Sequence, residues 1–220
     1  MTTPGALSAV AEKYKSLFES GQAIDFTIIR DTKTWKVHSF VLNLYSDVLA
    51  CACDGEFKVS RGIQGLELPN WEHADAKYET ATRTIDLSVD GETSVGALVH
   101  YMYYFDYATD DECQEPYTLY VNMVLLADKY DIPHLLQLAN EELAALLKDK
   151  PLDATADLIE AARLSYDAEG PTTKFRDALV HATIKSSMEQ SEQYSTIIGA
   201  IPALAQDVAI AMPTWKEHDK

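Results

Sequence analysis

Residues that favour extended backbone are confined to three short runs in this chain, and almost everything else spaces its apolar residues three or four apart. Phe26-Thr27-Ile28-Ile29 and Thr34-Trp35-Lys36-Val37 flank the polar Arg30-Asp31-Thr32-Lys33, which is the pattern of a β-hairpin. Thr84-Ile85-Asp86-Leu87 is the third run. So few strands beside so many helical segments predict an α+β fold, a small mixed sheet flanked by a cluster of short helices.

The helical segments have legible ends. Leu7, Val10, Ala11, Tyr14, Leu17 and Phe18 share one face of an N-terminal helix that Gly21 closes. A helix of that length is marginal alone, so its apolar face must dock, on its own domain or on a second copy. Residues 38–53 read as two short helices broken near Ser46-Asp47. Further helices are expected at about 94–105 and 116–129. Another is expected from Asp131, whose carboxylate is placed to cap it, with Pro133 tolerated in the first turn. Three or four more occupy 152–213, at about 153–166, 172–187, 189–198 and 202–212. Residues 58–83, with Gly62, Gly65, Pro69, Asn70 and many charges, lack periodicity and read as a surface insertion. Residues 106–115 hold five acids and read as a loop. Pro151 marks the expected end of a first domain at 7–148, with a helical extension at 152–213.

Charge narrows the function classes. The chain carries 35 acids against 18 bases, a net charge of −17. Binding to nucleic-acid phosphates or to an anionic membrane needs clustered Lys and Arg, so neither is expected. A specific partner should offer a basic or apolar surface. The three cysteines, Cys51, Cys53 and Cys113, are too few for a disulfide framework and suit a reducing compartment. The first ten residues lack the charged start and apolar core of a secretory signal, and the apolar stretch at 197–205 is too short to span a bilayer. Cytoplasm or nucleus is the expected location.

The sequence carries no recognisable catalytic or metal-binding signature. His73, His100, His134, His181 and His218 are scattered, with no ligand spacing to one another or to cysteine. No Gly-rich phosphate loop or nucleophile elbow occurs. No metal, no cofactor and no enzymatic activity are therefore expected. The acids and tyrosines at 101–117 leave an enzyme with an unfamiliar site as a remote alternative. His38, one residue past a strand, is expected to hydrogen-bond backbone as a structural element. Tyr101, Tyr103, Tyr104, Phe105 and Tyr107 exceed what one helix stripe can bury. Either some of them form an interface, or Tyr103 and Phe105 pack inside and the others lie under the acidic loop.

The order of these elements, and particular residues within them, resembles the BTB/POZ family. Asp25-Phe26-Thr27-Ile28 is similar to its opening Asp before the first strand. Val37-His38, Val41-Leu42, Ser46 and Val48-Leu49 are similar to its Val-His…Val-Leu…Ser signature. Tyr101 to Tyr107 resemble its Tyr-Leu-Tyr-Thr-Gly-x-Tyr stretch, and Leu126-Ala127-Asp128-Lys129-Tyr130 resembles its Leu-Ala-Asp-Lys-Tyr segment. The insertion before Thr84 and the Phe-Asp-Tyr at 105–107 look like the short stand-alone BTB proteins of filamentous fungi. Two positions depart from the pattern. Ser39 follows the signature His where Lys or Arg is usual, and Tyr104-Phe105 stand where Thr-Gly is usual.

The resemblance implies a BTB/POZ fold in which Asp25, His38 and Ser46 are structural motif residues. It implies a protein-interaction adaptor or scaffold whose partner is expected to be a cullin of a ubiquitin ligase, met through Tyr104, Phe105, Tyr107 and Tyr120. It also implies a homodimer through Leu7, Val10, Tyr14, Leu17 and Phe18 of the N-terminal helix. The alternative is a homodimeric transcriptional or structural scaffold with no ligase role.

Overall fold

The computed structural model describes residues 4–54, 83–106, 116–148, 151–168, 170–189 and 191–215, with the side chains of 4–8 and of Asp54 outside that description. Tyr107, Cys113, the rest of the acidic loop and all of the expected insertion except Arg83 fall outside the described residues. The chain is a mixed α+β protein, mostly helical, and it divides into two compact units: residues 1–108 with 129–132, and residues 109–128 with 133–220.

The first unit begins with α1 (Pro4–Ser20), which ends where Gly21 adopts a left-handed backbone at φ 64°. The hairpin follows as β1 (Phe26–Arg30) and β2 (Lys33–Val37), and Asp31 supplies the positive φ of 50° at the turn. The helix pair α2 (Ser39–Tyr45) and α3 (Asp47–Asp54) is broken at Ser46. β3 (Thr84–Asp86) then pairs parallel to β1, and α4 (Glu92–Tyr104) completes the unit. The sheet order is β2-β1-β3, with β1 central.

Strand register explains which side of the sheet is buried. Phe26 lies opposite Val37, and Ile28 lies between Trp35 and Ile85. With side chains alternating along each strand, these five share one face. Phe26, Ile28, Val37 and Ile85 are buried there. Lys36 is on the opposite face, where its Nζ reaches the Thr27 hydroxyl at 3.0 Å. The apolar residues at i, i+3 and i+4 of α4, Val95, Leu98, Val99 and Met102, are fully buried, as are Val41 and Leu42 of α2.

The second unit is helical: α5 (Pro116–Lys129), α6 (Pro133–Lys148), α7 (Ala156–Asp167), α8 (Thr173–Met188), α9 (Glu192–Ala200), α10 (Pro202–Ala211) and a 3-10 turn at Met212–Thr214. The turn after α5 belongs with the first unit. Helix α8 packs against α6, α7, α9 and α10, and its Phe175, Leu179 and Ile184 are buried. No single described helix is long and apolar enough to cross a membrane; α9 and the α10 segment reach the threshold only when joined across a 119° bend.

The compact units group α5 and α6 with α7–α10, whereas the sequence reading set a division at 7–148 and 152–213. One detail departs from the sequence reading. Helix α6 starts at Pro133, and Asp131 occupies a left-handed turn position at φ 49° two residues earlier, so it does not stand at the cap.

The start of α5 is satisfied from a distance. Asp157 on α7 accepts hydrogen bonds from the backbone N–H of Tyr117 and Thr118, both at 2.9 Å, doing the work of an N-cap residue from 39 and 40 positions away. Asp157→Ala is expected to destabilise the helical unit by about 1–2 kcal/mol, read as a lower urea midpoint. An unchanged midpoint would show that water replaces the carboxylate without cost.

Candidate functional site

The residues that carry the sequence signature are bonded to one another inside the first unit. His38 is fully buried. Its Nε2 lies 2.7 Å from the Gln22 carbonyl oxygen, which can only accept, so the proton resides on Nε2. Nδ1 therefore accepts from the Tyr103 hydroxyl at 2.8 Å, while the hydroxyl oxygen accepts the His38 backbone N–H at 2.9 Å. Burial pushes the Tyr103 hydroxyl up to about 12, with the Asp25 charge adding to the rise and the His38 backbone bond opposing it.

Asp25 accepts the Ser39 N–H at 2.7 Å and the Ser39 hydroxyl at 2.6 Å, with Arg83 at 3.4 Å. Ser39 thus turns inward at the start of α2. Ser46 donates to the Tyr130 carbonyl and accepts the Leu49 N–H at 3.0 Å, capping α3. Lys129 and Tyr130 both grip the Asp90 carboxylate, at 2.7 and 2.6 Å, and Arg30 Nε donates to the Asp90 carbonyl at 2.8 Å. Every one of these groups is used in holding backbone or a neighbouring side chain.

A second set of side chains faces outward where α1, α2 and the end of α4 meet. Phe18 lies against Tyr103 with ring centroids 4.4 Å apart, and Tyr14 touches Phe105 at 5.5 Å and Phe40 at 6.5 Å. Tyr104 is half-buried and stacks on His100 at 4.1 Å, with Lys15 Nζ 5.8 Å from its ring centre and its hydroxyl donating to Glu19 at 3.3 Å. Exposed apolar side chains on these elements are Val10 of α1 at 47%, Phe40 and Leu44 of α2 at 50% and 65%, and Phe105 at 43%. Tyr45 lies beneath, 5.7 Å from Tyr101 and 6.5 Å from Phe105; its buried hydroxyl has no hydrogen-bond partner among the described residues and is pushed upward by burial and by the neighbouring tyrosines.

Phe105 is the unusual member. It closes α4 in left-handed backbone, φ 61° and ψ 16°, with its N–H bonded to the Tyr101 carbonyl at 2.9 Å. Glycine commonly takes that position because a Cβ there costs about 1–2 kcal/mol. The sequence accepts this strain and projects an aromatic ring towards Tyr14 and solvent.

The expected interface residues belong to both compact units. Tyr104 and Phe105 belong to the outward set, Tyr107 lies outside the described residues, and Tyr120 is half-buried on α5 in the second unit. Tyr103 packs inside, whereas Phe105 does not, so the reading that buried them both holds for one only. Of the helix residues assigned to a dimer, Tyr14, Leu17 and Phe18 are half-buried, Tyr14 and Phe18 through ring contacts within the first unit, and Val10 is open. The Leu7 side chain lies outside the described residues. Phe40 and Leu44, missed in the sequence, stand four apart on α2, a spacing that does signal a shared face. Among the described residues no group of three or more His, Cys, Asp and Glu side chains is placed to hold a metal ion.

No model of a known protein family matches the chain, and no curated protein matches it.

Two outcomes test this geometry. Partial burial alone would raise the Asp25 carboxyl, but the two Ser39 hydrogen bonds and the positive charge of Arg83 outweigh it and hold the group below its ordinary value of 3.8. Its contribution is complete above 3.8 and is lost as pH falls through the lower folded value. Asp25→Asn is therefore expected to unfold more easily than wild type at neutral pH, with the gap closing on acidification below that range; a gap independent of pH would remove the carboxylate from the account. At Phe105, glycine relieves the left-handed strain and alanine does not, so Phe105→Gly should unfold at a higher urea midpoint than Phe105→Ala, by about 1 kcal/mol. Equal midpoints would mean the backbone there is unstrained.

Proposed function

We propose that this chain is a protein-interaction adaptor or scaffold of the BTB/POZ type, working in the cytoplasm or nucleus by surface contact and without a catalytic centre of its own. The observation that carries the reading is the open aromatic face around Phe105, whose ring is kept exposed at a cost in backbone strain. Strain retained at an exposed aromatic is explained when the ring has a partner to meet, since aromatic side chains bury large areas with little loss of freedom.

The family likeness is supported by the way its motif residues behave. Asp25, His38, Ser46, Lys129 and Tyr130 form an internal frame that binds hairpin, helix pair and α4 together, as fold-defining residues should. The partner implied by that likeness is a cullin, docking through Tyr104, Phe105, Tyr107 and Tyr120. Purified protein should retain a cullin N-terminal domain at micromolar concentration, and Phe105→Ala should weaken retention by about tenfold, as loss of an aromatic anchor does. No retention by the wild-type protein would sink the ligase role. A second reading is a homodimeric scaffold with no ligase partner, favoured by the open Val10 of α1 and the open Phe40 and Leu44 of α2. Light scattering separates the two, because a dimer that ignores the cullin supports the scaffold.

A further inference from the structure

The outer edge of β2 holds out backbone groups that the described sheet does not pair. In the order β2-β1-β3, β2 stands at one side with β1 as its neighbour. The ladder to β3 fixes which way the groups of β1 point: the Thr27 N–H donates to the Arg83 carbonyl and the Ile29 carbonyl accepts the Leu87 N–H, both at 2.9 Å. Thr27 and Ile29 therefore face β3. Their opposite numbers in β2, Lys36 and Thr34, turn their N–H and C=O groups away from β1. Both residues are exposed, and these four groups have no partner among the described residues.

The side chains along this edge differ between the two faces of the sheet. Trp35, half-buried on the core face, lies close to α4 at Gly96, where a Cβ would stand 3.7 Å from its Cζ2. Lys33 Nζ is 5.4 Å from the Trp35 ring centre and pairs with Glu92 at 2.9 Å. On the opposite face the Lys36 ammonium meets the neutral Thr27 hydroxyl and, among the described residues, no carboxylate. A strand laid along β2 would set every second side chain beside Trp35 and those between beside Thr34 and Lys36, with Cβ atoms about 4.5–5.5 Å apart.

Two lysines in a five-residue edge strand oppose a second copy, whose own Lys33 and Lys36 would join the same ladder, and they favour a strand that carries carboxylates. The wider acidity of the chain is screened beyond roughly 8 Å at physiological salt, so the cation at the edge decides at contact range.

We propose that the outer edge of β2 takes up an extended segment of a partner protein as an added strand, in which apolar residues beside Trp35 alternate with acidic residues beside Lys36. The proposal depends neither on a cullin nor on the aromatic face around Phe105.

The test titrates the full chain with a labelled peptide of alternating valine and glutamate, and with a counterpart in which lysine replaces glutamate. The glutamate peptide should bind and should slow hydrogen exchange at the Thr34 and Lys36 amides; the lysine peptide should not. Two further glutamate peptides are N-methylated, one at the valines and one at the glutamates. One of them should lose binding and the other keep it, because alternate N–H groups of an added strand point towards β2. Lys36→Glu should weaken binding by about threefold, and Thr34→Pro, which removes an N–H that makes no bond to β1, by about tenfold. An unchanged urea midpoint confirms that the variants fold.

The proposal is overturned by a glutamate peptide that does not bind, by equal binding of the glutamate and lysine peptides, or by tolerance of both methylation patterns. Protection of the Thr34 and Lys36 amides in the unbound chain would also overturn it: at all concentrations it would mean that the chain covers its own edge, and rising with concentration it would make a second copy the occupant. Failure to retain a cullin would count against the ligase role and leave these results standing.

Discussion

The buried contact between His38 and Tyr103 fixes the position of nearly everything that faces outward in the first unit. One ring and one hydroxyl join three stretches of chain: the exit of β2, the C-terminal turn of α4, and the segment after α1 through the Gln22 carbonyl. Neither group can reach water, so leaving a member of the set without its partner costs the full desolvation of a polar atom, about 1–3 kcal/mol. With Tyr103 pinned, the rotation of α4 is set. Phe18 then has a ring to pack on, Tyr104 is turned towards His100, and Phe105 is delivered to the end of the helix with its side chain in the open.

Neighbouring aromatics in one short stretch thus have opposite roles. Tyr101, Met102 and Tyr103 are core, Tyr104 is half-buried, and Phe105 is exposed, all within five residues of the same helix end. A helix turns through 100° per residue, so a run of five side chains spans more than one face. The left-handed backbone at Phe105 then ends the helix and redirects the chain. Stability and recognition meet at this junction. The inward tyrosines hold the frame, and the outward rings cover it only in part.

Much of this was legible in the residues, and the failures have a common cause. Apolar spacing gave α1, the hairpin, the α2–α3 break at Ser46 and the α5 start at Pro116, because these depend on local periodicity and local turn chemistry. What eluded the sequence was long-range. The cap of α5 comes from Asp157, 39 residues beyond Thr118, and the grip on Asp90 comes from Lys129 and Tyr130 across some forty positions. The run Phe40, Val41, Leu42, Leu44, Tyr45 is apolar on too many sides for one stripe. Which side faces outward is decided by what α1 and α4 already cover. Asp131 was read as a cap because Asp favours that role, yet Asp also tolerates left-handed backbone, and the turn before Pro133 uses the second property.

The parallel pairing of β1 with β3 bears on how the chain is made. Thr27 is opposite Thr84 and Ile29 opposite Asp86, so one edge of the central strand finds its neighbour only after 57 further residues have been synthesised. At about 5–20 residues per second the ribosome needs roughly 3 to 11 s to supply them. For that interval β1 has its hairpin mate on one side and an unpaired ladder of N–H and C=O groups on the other. The nascent protein therefore passes through a window in which Phe26 and Ile28 are displayed next to an open strand edge, and its yield in a cell depends on how that window is shielded.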